Sequence, residues 1–240
     1  MKTYIVIPTY NEKENLPLII EALFALNIPE LHILIVDDNS PDGTGKIADE
    51  YQTKYTETIS VLHREGKLGL GTAYIEGFRF CLENGAERIV QMDADFSHNP
   101  EKILVMLDNL DQYSMVLGSR YVSGGSLDEG WAPWRKKLSS FGNLYARMIL
   151  RMPVRDVTGG FRAWRKETLN GIPLDRVKSQ GYAFQVEMAY ITHLNGFSIK
   201  EIPIHFADRS RGDSKMSLNI QIEAAKRVWS ILYEYRDLWK

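Results

Sequence analysis

Five short runs rich in branched and apolar residues, at 4–7, 32–36, 59–62, 88–92 and 115–117, are separated by segments long enough for one helix each. Strands spaced this way cannot be joined by tight hairpins, so the first half of the chain is expected to form a mostly parallel sheet covered by helices. Such a sheet brings the C-terminal ends of its strands to one edge, where open α/β sheets bind their ligands. The connecting segments carry helix punctuation. Asn11 with Glu14 reads as an N-cap and its reciprocal partner, and Asn99-Pro100 as a cap followed by a first-turn proline. Asp42-Gly43 and Asn84-Gly85 read as turn or helix-stop signals. Past Ser119 the alternation decays into Gly124-Gly125 and a basic stretch, followed by a helix over about 184–194, a strand over 198–206 and a terminal helix over about 218–235. No linker, low-complexity tract or repeat interrupts the 240 residues, so one α/β domain over 1–240 is expected.

Composition adds a few limits. With 44% hydrophobic and 25% charged residues the chain has the material for a packed core. Cys81, the one cysteine, cannot form an intrachain disulfide; it shares a helical stripe with Leu70, Ala73, Tyr74, Gly77 and Phe78, which marks a buried structural thiol. The N-terminus is too short and wrongly flanked for a signal peptide, and no apolar run is long enough to span a bilayer. The histidines at 32, 63, 98, 193 and 205 lack metal-ligand spacing, and His98 reads as loop chemistry. Charge is segregated. Between Trp131 and Lys166 nine Lys or Arg stand against one acid, Asp156, a local +8; the whole chain is −2, so the remainder is −10. That asymmetry predicts a local anionic partner rather than general nucleic-acid binding.

The strand ends carry the chemistry. Asp93-Ala94-Asp95-Phe96-Ser97 follows the apolar run 89–92. Residues i and i+2 of a strand share a side, and two carboxylates held there need a cation or a shared proton. Hard oxygen ligands suit Mg2+ or Mn2+, bound by one or two carboxylates plus substrate phosphates. A solvated turn explains the same spacing. The second strand ends in Asp37-Asp38-Asn39-Ser40-Pro41-Asp42-Gly43, where an acid can hold a ribose hydroxyl or a base edge and where turn chemistry also accounts for the residues. The first ends in Pro8-Thr9-Tyr10-Asn11-Glu12 with no Gly-x-Gly-x-x-Gly after it, which disfavours a dinucleotide-binding turn. Arg64-Glu65-Gly66-Lys67-Leu68-Gly69-Leu70-Gly71 is a glycine-rich basic loop entering a helix, able to bind an anion or to serve as a plain connection. In the second half, Trp131-Ala132-Pro133-Trp134-Arg135-Lys136-Lys137 precedes Leu138, Phe141, Leu144, Tyr145, Met148, Ile149 and Met152 at helical spacing. This amphipathic element can lie at a bilayer interface or pack on the sheet.

Taken in order, and with Gly118-Ser119-Arg120-Tyr121 and Gly159-Gly160-Phe161-Arg162, these motifs resemble the GT-A glycosyltransferases that make polyprenyl phosphate sugars. The dolichol-phosphate mannosyltransferase family (polyprenol monophosphomannose synthases) is the nearest match, over Tyr4 to about Ser217. The resemblance implies a GT-A fold, with a nucleotide-sugar half over 1–120, an acceptor half over 121–240 and an acceptor-side amphipathic helical segment. It implies metal-dependent inverting transfer of mannose from GDP-mannose to a polyprenyl phosphate, or the same reaction from UDP-glucose or another sugar nucleotide.

By position, Pro8, Tyr10, Glu12 and Asp38 would hold the guanosine, and Asp93, Ala94 and Asp95 the ribose, diphosphate and metal. Val36, Lys67, Arg120, Lys178 and Lys215 would complete the nucleotide-sugar site. Asp93 and Asp95 would be the ligands of Mg2+ or Mn2+; family members often carry Gln where this chain has Ser97. Arg135, Ser139 and Arg209 would take the acceptor phosphate, Asp95, Arg120, Arg135 and Arg209 are the catalytic candidates, and Glu187 would orient the sugar or an arginine. A phosphate acceptor, with its second ionisation near pKa ~6, is already anionic, so no strong general base is required. The expected partners are GDP-mannose, a polyprenyl phosphate, a membrane surface and a small membrane-anchoring protein, with no nucleic acid; the expected location is cytoplasmic, peripheral on the cytoplasmic face of a membrane. Two unrelated readings fit less well. A phosphatase with an Asp-x-Asp-x-Ser/Thr nucleophile would carry it after the first strand, yet three strand candidates precede Asp93. A receiver-like switch module is opposed by the strand before Asp37-Asp38 and by the basic second half.

Overall fold

The computed structural model describes residues 1–207 and 218–239, with side chains described for 1–207 and 225–239. The first half alternates as expected: β1 (Thr3–Thr9), α1 (Leu16–Ala25), β2 (Leu31–Asp37), α2 (Thr44–Lys54), β3 (Ile59–His63), α3 (Leu70–Glu83), β4 (Arg88–Gln91), α4 (Lys102–Asn109) and β5 (Met115–Ser119). Then come β6 (Ser126–Leu127), α5 (Pro133–Leu150), β7 (Arg162–Arg165), α6 (Lys166–Asn170), α7 (Gly181–Leu194), β8 (Ile199–Pro203), β9 (His205–Phe206) and α8 (Leu218–Glu234). The main sheet runs β3-β2-β1-β4-β7-β5-β8, and β7 alone is antiparallel to its neighbours. β6 and β9 form a separate parallel pair.

Side chains two apart on a strand choose the layer they join. Tyr4, Val6, Leu34 and Val36 pack with Tyr74 and Phe78 of α3 and Phe184 and Met188 of α7. Ile5, Ile7, Ile33 and Ile35 pack on the opposite face with Leu16, Ile19 and Ile20 of α1 and Ile103 and Met106 of α4. Gly77 lets α3 come down onto β1: a Cβ there would lie 2.6 Å from Val6 Cγ1. Cys81 faces the same layer, and burial pushes its thiol well above the ordinary range, as befits an inert structural cysteine.

Three sequence expectations are corrected. Asn11 is not an N-cap: it is left-handed, with φ 63°, and α1 begins at Leu16 after a turn in which Glu12 accepts from the amides of Asn15 and Leu16. The strand expected over 198–206 breaks at Ile204, so that β8 joins the main sheet while β9 pairs with β6. The segment Arg162-Ala163-Trp164-Arg165, hidden in the basic stretch, is strand β7, with Arg162 and Trp164 fully buried. Arg162 donates from Nε to the Gly159 carbonyl (2.9 Å) and from Nη2 to the Val157 carbonyl (3.1 Å), with Nη1 buried and unpaired among the described residues; burial lowers it to about 9, still charged at neutral pH. A smaller shift affects Asn99, whose side chain accepts from Glu101 N at 3.0 Å in a turn just ahead of α4.

Candidate active site

The loops after β1 and β2 are knitted into one surface. The Asp37 carboxylate accepts from Thr9 Oγ1 (2.9 Å) and from Ser40 Oγ (2.6 Å) and N (3.0 Å), and Glu12 N donates to Thr44 Oγ1 at 2.9 Å. Pro8 is half-buried at the end of β1, next to this junction. Asp38 is buried against Arg64, whose Nη1 lies 2.5 Å from Oδ1, while Gly69 N donates to Oδ2 at 3.2 Å. Arg64 also bonds Glu76 and Thr72, so the acid after β2 is tied to the glycine-rich loop and to the first turns of α3. Lys67 places its ammonium 3.9 Å from the centroid of the Tyr10 ring, which brings two expected nucleotide residues from distant segments together. Lys178 is exposed, two residues before Gln180, whose Oε1 accepts from Gly71 N at 3.0 Å at the start of α3. Val36 requires correction: it is fully buried in the α3 layer, so its side chain is closed to a ligand.

The acidic loop follows β4. Asp93 Oδ1 accepts from Tyr74 Oη at 3.1 Å, and Asp93 N donates to His98 Nδ1 at 3.2 Å. Asp95 Oδ1 accepts from Ser97 N at 3.0 Å across Phe96, which is left-handed at φ 59°. Asp95 and Ala94 are buried. Sequence reasoning missed both supports of Asp93: Tyr74 was hidden in a helical stripe, and His98 read as loop. An amide can only donate, so His98 accepts at Nδ1 and carries its proton on Nε2; burial lowers its pKa and keeps the ring neutral. Burial and the Asp93 charge push the Tyr74 hydroxyl well above its ordinary value, so it remains a donor.

Among the described residues no three acid, histidine or cysteine side chains converge as a metal cage, which leaves the two loop carboxylates as the charged ligands available here. Ser97 Oγ is buried with no hydrogen-bond partner among the described residues, a third hard oxygen on the same loop. Carboxylates and a hydroxyl fit Mg2+ or Mn2+ completed by substrate phosphates.

On the other side, Arg120 at the end of β5 is committed. Its Nε and Nη2 pair with Asp156 at 2.8 Å each, Nη2 also reaches Thr158 Oγ1 at 2.7 Å, and its backbone N donates to Asp156 at 3.0 Å. This corrects the sequence reading: the two-donor edge that would clasp a phosphate is occupied by a buried carboxylate that neutralises the charge, which leaves Nη1 for any ligand. Arg135, in the first turn of α5, has its guanidinium 3.7 Å from the Trp131 ring centroid. Ser139 Oγ bonds Tyr121 Oη at 2.9 Å. Glu187 is fully buried and accepts from Ser179 N (2.8 Å), Tyr235 Oη (2.9 Å) and Arg227 Nη2 of α8 (3.2 Å). Arg209 and Lys215 lie outside the described residues.

The apolar stripe of α5 divides. Leu150 and Ala146 turn inward, while Trp134, Phe141, Leu144 and Met148 stay 67%, 65%, 48% and 70% exposed along one face. Trp229 of α8, half-exposed, joins this side by donating from Nε1 to Tyr145 Oη at 2.9 Å, and Tyr145 donates to the Ala225 carbonyl. No helix among the described residues is long and apolar enough to cross a membrane.

The same backbone arrangement occurs in glucosyl-3-phosphoglycerate synthase of Mycobacterium tuberculosis, solved with Mn2+, UDP-glucose and phosphoglyceric acid: TM-score 0.66 over 96% of this chain and 78% of that one, at 16% identity. At that identity the likeness speaks for the fold alone, which is α/β and GT-A-like. Sequence relatives are nearer. The polyprenol monophosphomannose synthase of Mycolicibacterium smegmatis is 45% identical, covering 96% of this chain and 87% of its own length. The undecaprenyl-phosphate mannosyltransferase of Micrococcus luteus is also 45% identical, covering 99% and 98%. The model of the family described as glycosyl transferase family 2 matches residues 4–172, a span running from β1 through the acidic loop and past α6, so the chain that sets these acids on one sheet edge belongs to glycosyl transferase family 2.

Proposed function

We propose that the enzyme transfers mannose from GDP-mannose to a polyprenyl phosphate with inversion at the anomeric carbon. Two relatives at 45% identity are named for mannose transfer onto polyprenol or undecaprenyl phosphate. The observation that carries the reading is α5: its first turn presents Arg135, Lys136 and Lys137, and its length presents an uncovered apolar face. An acceptor with an anionic head and a hydrocarbon tail needs both on one element.

The loops after β1 and β2 hold the nucleotide, with Tyr10 and Lys67 paired over it and Asp38, steadied by Arg64, offering its remaining lone pairs to the base. Asp93 and Asp95 meet the diphosphate end, and Mg2+ or Mn2+ bound there would neutralise the departing diphosphate. Arg135 receives the acceptor phosphate, and Ser139, Arg209, Lys178 and Lys215 complete the two anion sites. The phosphate oxygen attacks the anomeric carbon from the side opposite the diphosphate; the phosphate is already anionic, so no side chain has to remove a proton. Docking is peripheral, through the α5 face, alone or with a small membrane-anchoring protein.

Turnover of GDP-mannose and UDP-glucose on polyprenyl phosphate in detergent, with and without EDTA, tests donor and metal together. GDP-mannose is expected to turn over, EDTA to stop it, and Asp95→Ala to lower kcat by at least about a hundredfold with folding retained, because loss of the cation removes several kcal/mol of charge stabilisation. Activity with UDP-glucose alone would overturn the donor, and full activity of Asp95→Ala would remove the metal role.

A further inference from the structure

Phe206, at the end of β9, belongs to no motif, yet its ring meets three residues from three separate segments. It lies edge-on to His98 of the acidic loop (centroids 5.6 Å, 69°) and to Trp131 ahead of α5 (5.9 Å, 83°), and the Arg120 guanidinium sits 5.3 Å from its centroid. His98 in turn accepts the amide of Asp93, and Trp131 carries the guanidinium of Arg135 at 3.7 Å. A single ring thus stands between the acid expected at the leaving diphosphate and the cation expected at the acceptor phosphate.

The backbone holds that ring in place. Phe206 pairs with Leu127 in the small sheet, and its carbonyl accepts from Asp128 N at 2.9 Å. Trp131 N returns to the Asp128 carbonyl at 3.3 Å, so the turn that delivers Trp131 is built on the residue that pins Phe206. His98 is also stacked on Phe161, at 4.9 Å and 12°. Edge-to-face aromatic contacts have a preferred geometry, which makes such a chain a spacer and not merely a filler.

We propose that Phe206 is a positioning residue that sets the separation and angle between the acidic loop and Arg135, and so the line of attack of the acceptor phosphate on the sugar; this rests on the acceptor site assigned above. Small misplacements of reacting groups cost large factors in rate, whereas the nucleotide grip at Tyr10, Asp38 and Lys67 is built from other loops and does not pass through this ring.

The test compares Phe206→Ala with Phe206→Tyr, next to Arg135→Ala, reading KM for polyprenyl phosphate, kcat, thermal midpoint, and Kd for GDP with and without Mn2+ by calorimetry. Phe206→Ala is expected to raise acceptor KM and lower kcat by about tenfold or more each, with the GDP Kd measured without Mn2+ within about twofold, and Phe206→Tyr to restore both. An unchanged acceptor KM and kcat in Phe206→Ala, or equal losses for acceptor and GDP that track the thermal midpoint and are not restored by tyrosine, would overturn the proposal. If Arg135→Ala raises acceptor KM and Phe206→Ala does not, only the role of Phe206 falls. If Arg135→Ala leaves acceptor KM unchanged, the acceptor site is elsewhere and both fall.

Discussion

Arg120 and Asp156 are separated by 36 positions yet share a bidentate contact that is 5% and 0% exposed at its two side chains. Burial alone would raise the Asp156 pKa, but the Arg120 guanidinium and the amides of Arg120 and Thr158 outweigh it and hold the carboxyl below its ordinary 3.8. A depressed folded pKa means the stabilisation is complete above the ordinary value and is lost as pH falls through the lowered one. Stability to urea is therefore expected to drop as pH falls below about 4, with part of that drop absent in Asp156→Asn. At neutral pH that variant leaves Arg120 buried without its counter-charge and is expected to lose about 3–5 kcal/mol, measured by urea unfolding. The family resemblance marked Arg120 through Gly118-Ser119-Arg120-Tyr121, but nothing local could show that two of its donors are taken by Asp156. The same holds for Asp38 and Arg64, and for Tyr74 and His98 around Asp93: each partner is named by distance in space, and spacing along the chain carries no trace of it.

Among the elements, β1 to β5 were legible because a buried strand writes its own pattern, alternating between two apolar layers. β7 was not, since Arg162-Ala163-Trp164-Arg165 has charges where a strand should be apolar. Pairing with β4 and β5 makes it a strand, and two carbonyls make its buried arginine tolerable. α5 was read correctly as a helix, but its periodicity suited both a core helix and an interfacial one. Exposure separates the two: Phe141 and Met148 point outward. The double variant Phe141→Ser/Met148→Ser should therefore leave the urea midpoint nearly unchanged and weaken co-sedimentation with anionic vesicles by at least about tenfold, since each apolar side chain taken from water contributes about 1.5–3 kcal/mol. Equal vesicle binding by the variant and the parent would remove α5 from the membrane contact.

At the scale of the molecule, charge is divided between a +8 stretch from Trp131 to Lys166 and a remainder of −10. Folding spends part of that positive charge internally: Arg162 is buried against the carbonyls of Gly159 and Val157. Lys137 stays exposed in the first turn of α5, beside the half-exposed Arg135 and Lys136. Association with anionic vesicles should accordingly fall severalfold between about 0.05 and 0.5 M salt, as the Debye length shrinks below about 10 Å, while the α5 apolar face leaves a salt-resistant remainder. Salt-independent binding would mean the charges play no part. Sequence alone determined the layered α/β order, the strand ends that carry acids, and the family likeness, because these depend on periodicity and local turn chemistry. Tertiary structure alone decided which acids and arginines are already paired, that the Val36 side chain is buried, and that the Phe206 ring meets His98, Trp131 and Arg120. Those outcomes depend on burial and on contacts between segments far apart in the chain, and a linear pattern encodes neither.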